Sequence, residues 1–398
     1  MLNPDSQTFD ILDRCYLWMT KCLSWAHQTI VSALIVIALS LLIAFPDVHH
    51  LMDFHTEWAE DAIAWKLHHP LGAIPVDRFP PRGPEFTGNR DHVLKQTYRI
   101  TLPLISYCLG LDLRATEILS MVSSIAFSVV MLMYFRRLFP QDPVLTLLLG
   151  VAVGCSLLAQ WGTCVYTFFD GVSYLLLACA AYTSSPLLVA AFLAAGGFSD
   201  ERVILAAPLV YLLQDQSLLK NPNLTRLLRP NRQQYGTITG VLLFVIGRIL
   251  LGLHIGRLFD RSEVGLASLH RNLILLPVAW GFVYKGAILI MALGFICLAR
   301  ICSGRIAGVL LLCVIPGIAA SLLVWDQCRS LGFCFPILLF CVEALAEGAS
   351  LQTIRRIAIC GALISACLPT YYLWKGSVRY LVPMLQLLPH HALFAIVK

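Results

Sequence analysis

Carboxylates are concentrated in one short stretch of an otherwise apolar chain, and that stretch is the first candidate for chemistry. Read as a helix over residues 53–67, it places its acids on one side and its aromatic residues on roughly the opposite side. The acids are Asp53, Glu57, Glu60 and Asp61, and the other side carries Trp58, Ala62, Trp65 and His69. One side therefore suits lipid headgroups and the other a polar cavity.

Asp53 is our first candidate for a catalytic carboxylate, and Glu57, one helical turn later, is the second. A carboxylate held beside an acceptor hydroxyl can take its proton as a general base. The alternative is that both acids only keep an interfacial helix in contact with water.

A second set of charges lies at the ends of short apolar segments. The consecutive segments 171–184, 186–197 and 201–213 are too short to cross about 30 Å of hydrocarbon as straight helices. Their junctions should therefore dip into the membrane and border a wet cavity. We predict substrate-binding roles for the charges near this level: Asp170, Asp200, Glu201, Arg202, Arg248, Lys285, Asp326 and Arg329.

The cations of this set suit an anionic lipid phosphate, because arginine offers two parallel hydrogen bonds and lysine a point charge. An unpaired cation at the membrane centre costs roughly 3 kcal/mol, so Arg248 should face the helix bundle or extend outward. Two alternatives stay open. Asp200 and Glu201 could simply cap the next helix with Ser199, and Lys285 could lie among lipid headgroups.

The composition indicates an all-α polytopic membrane protein. The 398 residues are 58% hydrophobic and 13% charged, with a mean hydropathy of +0.76, whereas soluble domains carry about a quarter charged residues. We predict one transmembrane domain over residues 1–398 and an outer first loop over residues 47–113 with juxtamembrane helices. Eleven or twelve spans are expected, at 29–45, 114–135, 143–161, 171–184, 186–197, 201–213, 236–253, 277–300, 306–325, 331–347, 355–374 and, as the twelfth, 380–397.

The basic residues predict the orientation. If the spans are counted in this way, the clusters fall on one side, which the positive-inside rule assigns to the cytoplasm. The amino terminus is then cytoplasmic, the first span is retained, and the acidic first loop lies outside. The clusters are Arg136 with Arg137, then Lys220, Arg226, Arg229 and Arg232, then Arg300 and Arg305, and Arg355 with Arg356.

Other kinds of site find no support in the sequence. The net charge of +6 is spread over span ends, which is unlike a nucleic-acid surface. The fourteen cysteines show no CxxC spacing and mostly lie in apolar segments, so we interpret them as small buried side chains. The histidine pairs at 49–50, 68–69 and 390–391 are adjacent, and neighbours on a helix point about 100° apart, so they do not form a metal site. We expect no metal and no cofactor.

The order of these features resembles the GT-C class of membrane glycosyltransferases. In that class a first span leads directly into an outer loop with an acidic juxtamembrane helix, which residues 53–67 match here. A second juxtamembrane segment, a span that ends in paired arginines, and a later acidic junction follow, as at 102–111, 133–139 and 198–204. The resemblance covers about residues 47–213. Two departures are that Asp53 has no adjacent acid and that no large carboxy-terminal outer domain follows.

The resemblance implies transfer of a sugar from a polyprenyl-phosphate donor to a lipid or glycan acceptor on the outer face of the membrane. Cations such as Arg202, Arg248 or Arg329 would hold the lipid phosphate, and a first-loop carboxylate would be the base. It also implies an envelope enzyme of a bacterial inner or plasma membrane, in contact with membrane lipids and not with nucleic acid. Two other classes stay open: a transporter or lipid flippase that makes no bond, and a non-catalytic subunit of an envelope assembly.

Overall fold

The computed structural model describes the chain in segments. They are residues 4–23, 29–40, 42, 60–75, 96–163, 170–215, 217–220, 225, 227–256, 266–301, 304–324, 326–374 and 377–381. The two predicted catalytic acids, Asp53 and Glu57, lie outside these segments.

Helices make up most of the described residues. The first four are α1 (Pro4–Cys22), α2 (Thr29–Leu39), α3 (Glu60–His68) and α4 (Thr101–Leu109). The remaining thirteen are α5 (Leu113–Leu138), α6 (Pro143–Gly154), α7 (Leu157–Thr163), α8 (Asp170–Tyr182), α9 (Pro186–Ser199), α10 (Arg202–Leu213), α11 (Arg232–Ile255), α12 (Leu266–Tyr284), α13 (Ala287–Ile301), α14 (Arg305–Leu322), α15 (Gln327–Gly332), α16 (Pro336–Gly348) and α17 (Leu351–Cys367).

Three of these helices, α5, α11 and α14, are long and apolar enough to cross a membrane. The pair formed by α12 and α13 is a fourth candidate, bent by 107° at the break between them. Five shorter apolar helices, α2, α6, α8, α9 and α10, accompany them. The chain is therefore a mostly helical protein with three or four candidate membrane spans among its described residues, which agrees with the predicted fold class at this level.

The predicted span over 355–374 ends earlier than expected. Helix α17 stops at Cys367, and Leu368 adopts an extended conformation before Pro369, because proline disfavours the helical region for the residue ahead of it. An antiparallel hairpin then pairs β1 (Thr370–Trp374) with β2 (Ser377–Leu381), with Thr370 opposite Leu381. Its aromatic residues and Thr370 favour a strand over a helix.

A buried lysine connects two parts of the predicted first loop. Lys66 of α3 donates to the carbonyl of Gly72 at 2.9 Å and to that of Thr97 at 2.6 Å, so it joins two segments 31 residues apart. Burial lowers the pKa of Lys66 to about 7. Helix α3 also packs through Ile63 against Leu102 of α4 and Val172 of α8. The segment that leads into α4 is therefore fixed against the helix bundle.

Several basic residues share one end of the bundle. At the end of α5, Arg137 donates to the carbonyl of Tyr182 at the end of α8. Lys220 pairs with Glu347 of α16 at 3.4 Å, and Arg355 of α17 pairs with Asp142 at 2.8 Å. We call this the basic end. The opposite end, where α4 meets α5 and where α8 begins, is called the site end.

Two exposed arginines at opposite ends make this arrangement testable. Arg114 lies in the first turn of α5 at the site end, and Arg229 lies just ahead of α11 at the basic end. In a cysteine-free background, Arg114→Cys and Arg229→Cys should react with a membrane-impermeant maleimide from opposite sides, with Arg229→Cys reacting from the cytoplasm. Reaction of both positions from the same side would contradict the fold.

Candidate functional site: a buried ionic centre

Five charged residues from four parts of the chain meet at the site end. We call this group the ionic centre. Asp170 opens α8, Asp200 follows α9, and Arg202 opens α10. Arg329 lies in the short helix α15, and Arg99 lies just ahead of α4.

Asp200 is held by two guanidinium groups. Arg202 donates to its carboxylate from Nε at 2.7 Å and from Nη2 at 2.6 Å, in a two-pronged contact. Arg99 places its Nη2 2.9 Å from the same carboxylate. The backbone N–H of Arg202 donates to it as well, at 3.0 Å. This geometry is the strongest that arginine and carboxylate form, because both planar groups match.

Asp170 receives the second pair of contacts. Arg329 donates to it from Nε and, at 2.8 Å, from Nη2. Arg202 reaches it through Nη2 at 3.3 Å, so Arg202 bridges the two carboxylates. Arg202 also donates to Ser330 Oγ at 3.1 Å, and its guanidinium lies 4.5 Å from the centre of the Phe333 ring. One guanidinium thus connects α8, α10 and the α15 turn.

The centre is almost dry. Both aspartate side chains are fully buried, and the three arginine side chains are between 8 and 14% exposed. Burial by itself would raise the pKa of Asp200, but the charges of Arg202 and Arg99 outweigh it and hold the pKa well below its usual range. Both carboxylates are therefore anchors for arginines, and Asp200 is poorly suited to take up a proton.

Two other predicted acids lie at the border of the centre. Glu201 has 56% of its side chain exposed, and it approaches Arg99 Nε at 3.8 Å. Asp326 caps α15, since it accepts the backbone N–H of Arg329 at 3.1 Å. Burial raises the pKa of Asp326 to about 6. Glu201 is therefore the more solvent-accessible carboxylate beside the arginines.

The predicted capping by Ser199, Asp200 and Glu201 occurs only in part. Asp200 accepts the first backbone N–H of α10, but Glu201 at the cap position makes no side-chain capping bond. Ser199 instead pairs with Ser173 of α8, with 2.9 Å between their hydroxyl oxygens. Capping and arginine binding are thus combined in Asp200.

The predicted cations Arg248 and Lys285 lie apart from the carboxylates of the centre. Arg248 of α11 lies over the ring of Tyr98, 3.2 Å from its centre, next to Arg99 in the chain. Lys285 lies at the break between α12 and α13, and it is 92% buried, so it does not lie among exposed headgroups. Its ammonium donates to Thr370 Oγ1 at 2.6 Å and to carbonyls of Cys155 and Leu368, both at 3.0 Å. Through these hydrogen bonds, Lys285 connects the break between α12 and α13 to the first strand of the hairpin.

Sequence reasoning did not single out Arg99, Ser330 or Phe333. Arg99 belongs to a short polar run directly before the apolar helix α4. Its position next to the start of a helix on the predicted outer side is the one feature of the sequence that could have pointed to it. Ser330 and Phe333 carry no signal of their own. Their roles depend on contacts with Arg202, which is more than a hundred residues away.

A narrow groove, too narrow in this structure to hold a water molecule, lies beside the ionic centre between α10 and α14. Its polar end is formed by Arg202 and Ser330. The rest of its wall is apolar and rich in small side chains: Leu205, Ala206, Leu209, Val314, Gly317 and Ala320. The walls of this groove therefore combine one guanidinium group with hydrocarbon. Among the described residues, no cluster of His, Cys, Asp or Glu could hold a metal ion.

Two neighbouring acids provide a matched test of the centre. Replacing Asp200 by Asn leaves the buried guanidinium groups of Arg99 and Arg202 short of a counter-charge, and breaking a buried pair in this way costs about 3–5 kcal/mol. Replacing the exposed Glu201 by Gln should cost no more than about 1 kcal/mol. Unfolding of the detergent-solubilised variants, followed by a thiol-reactive dye, measures the difference. Equal losses of stability in the two variants would contradict the assignment of Asp200 as the buried partner of the arginines.

The chain was also compared with known proteins. No protein-family model, no curated protein and no solved structure matches it. A function therefore has to be argued from the geometry of the ionic centre and its groove.

Proposed function

We propose that this protein is a membrane glycosyltransferase of the GT-C kind, which moves a sugar from a polyprenyl-phosphate donor to a lipid or glycan acceptor on the outer face of the membrane. One observation carries the proposal: three arginines converge on two buried carboxylates, and one of them, Arg202, also lines an apolar groove. The groove would have to widen, by separation of α10 and α14, to take the first part of the polyprenyl chain, and Arg202 would then face its phosphate.

The charges of the inner part of the centre favour an anionic ligand. Three guanidinium groups surround two fully buried carboxylates, which leaves one positive charge in excess. The carboxylates fix the planes of Arg202 and Arg329, so these cations need little reorganisation when a ligand arrives. Arg99 connects the end of the first loop, just ahead of α4, to the same two carboxylates through Asp200.

Transfer would place new negative charge beside these cations. The hydroxyl oxygen of the acceptor attacks the anomeric carbon, the bond from that carbon to the phosphate oxygen breaks, and a carboxylate takes the hydroxyl proton. The donor phosphate is a diester with one negative charge, and the departing polyprenyl phosphate carries up to two. Cations held in a dry site stabilise charge that develops in this way. The leaving group is already an anion and needs no general acid.

The base would come from the first loop. Asp170 and Asp200 are committed to arginines, so they fit an anchoring role and not that of a base. Asp53 remains our first candidate and Glu57 our second. Glu201, exposed beside Arg99, is the carboxylate at the centre that could replace them.

The proposal includes a topology. The protein would have eleven or twelve spans over residues 1–398, a first loop over residues 47–113 on the outer face, and a cytoplasmic amino terminus in a bacterial inner or plasma membrane. The ionic centre would then face outward, and the basic end would meet the cytoplasm. No cofactor is needed.

A transporter or lipid flippase is the main alternative. It would also use buried charges and short broken helices. Its binding site, however, is expected near the membrane midplane, whereas the ionic centre lies toward one end of the helices. A non-catalytic assembly subunit would need neither the arginines nor the groove.

The test uses the full-length protein in vesicles that contain radiolabelled polyprenyl-phosphate hexoses and a hydroxyl acceptor extract from the same membrane. Wild type should transfer label to the acceptor. Asp53→Asn, or Asp53→Asn combined with Glu57→Gln, should reduce transfer by at least about 10²-fold, because a positioned base contributes about 10²–10⁴-fold. Flipping of the donor without transfer would instead favour the alternative.

Adjacent alanines on α14 provide a control for the groove. Ala320 borders the groove, and Ala319 is exposed on the same helix. Ala320→Leu should fill the groove and weaken both donor binding and transfer, whereas Ala319→Leu should leave both near wild type. If both variants behave alike, the groove does not bind the donor chain.

A further inference from the structure

Helix α1 at the basic end presents an unusual distribution of side chains. Leu12 and Met19 pack against the main core, and polar groups add to this anchoring. Asp13 pairs with Arg356 of α17 at 2.5 Å and accepts from Gln352 at 2.6 Å. Tyr16 is buried and donates to Asp142, which also binds Arg355. The guanidinium of Arg355 lies 4.7 Å from the centre of the Tyr16 ring.

Other apolar side chains of α1 point away from the bundle. Ile11 and Trp18 are 60 and 66% exposed, and Cys15 and Cys22 are exposed as well. Their spacing of four, three and four residues places all of them on one face of the helix. We call Ile11, Cys15, Trp18 and Cys22 the α1 stripe. In water this stripe would leave a tryptophan and an isoleucine side chain in contact with solvent, which is unfavourable.

Two cations border the stripe. Arg14 and Lys21 are both exposed, and each comes directly before a cysteine of the stripe. Tryptophan beside basic side chains is typical of helices that lie in the headgroup layer, where the ring meets the acyl boundary and the cations meet phosphates. The helix is too polar to cross the hydrocarbon, because Asp10, Asp13, Arg14 and Lys21 occur within its length.

The neighbouring surface is apolar as well. Helix α2, which follows α1, exposes Ile30 and Leu34 by 75 and 60%. The next described helix in the chain therefore also carries an apolar surface suited to lipid. The cations beside the stripe and the apolar surfaces exposed on both α1 and α2 select a membrane as the occupant of the α1 stripe.

We propose that α1 lies in the headgroup layer at the basic end and binds anionic lipid through the α1 stripe together with Arg14 and Lys21. The polar contacts of Asp13 and Tyr16 set the rotation of the helix so that the stripe faces the bilayer. The proposal does not depend on the proposed glycosyltransferase activity.

The test uses the full chain in nanodiscs with an environment-sensitive fluorescent amino acid at position 18. Position 228, exposed at the same end, serves as the control. Lipids brominated near the headgroup should quench the probe at 18 and not at 228, and aqueous iodide should do the reverse. Quenching at 18 no stronger than at 228 would overturn the proposal. So would protection of position 18 from both quenchers, which indicates a second copy or a partner protein.

Lipid charge gives the second measurement. Changing the nanodisc from phosphatidylcholine to equal parts phosphatidylcholine and phosphatidylglycerol should increase the membrane-bound population of α1. Each cation near an anionic surface contributes roughly five-fold to such binding. Arg14→Gln with Lys21→Gln should abolish the increase, and high salt should reduce it. An increase that is unchanged in this double variant would contradict the role of the cations.

Discussion

Two buried carboxylates that must each be matched by arginine are the constraint on which the site end of this protein depends. A desolvated charge without a partner is very costly, and neither Asp170 nor Asp200 can reach water. Their partners come from the segment before α4, from α10 and from α15. The positions of these three segments are therefore coupled through Arg202, which contacts both carboxylates. The same arrangement leaves arginines in fixed orientations beside an apolar groove, which is the feature that supports a site for a lipid phosphate.

Polar contacts also fix the parts of the fold that apolar packing leaves undefined. The break between α12 and α13 is held by Lys285 through backbone carbonyls and Thr370, and so it connects a bent helix pair to the hairpin. The hairpin in turn contacts α15, where the N–H of Leu373 donates to Cys328 Sγ beside Arg329. In a bundle of apolar helices, where van der Waals packing is similar in many rotations, such bonds select one arrangement.

Much of the site could be predicted from residue type and position. Asp170, Asp200, Arg202 and Arg329 stand out because charges are rare in apolar segments, and short segments predict that their junctions lie inward. Their pairing could not be predicted, since Arg329 and Asp170 are 159 residues apart and no local pattern joins them. Arg99 was missed because an arginine in a polar loop has an ordinary explanation. The hairpin was missed because 370–374 continues the apolar run of α17; Pro369 and the strand-favouring Thr370 and aromatic residues mark the change.

The coupling between Asp170 and Arg329 tests the central claim most directly. We propose a double-mutant cycle with Asp170→Asn, Arg329→Gln and the double variant, using the free energy of unfolding of the detergent-solubilised protein. If the two residues are partners in a dry ionic centre, each single change leaves a buried charge unmatched, and the double variant should recover at least about 2 kcal/mol relative to the sum of the single losses. Losses that add to within about 0.5 kcal/mol would show that the pair is not coupled and would contradict the account.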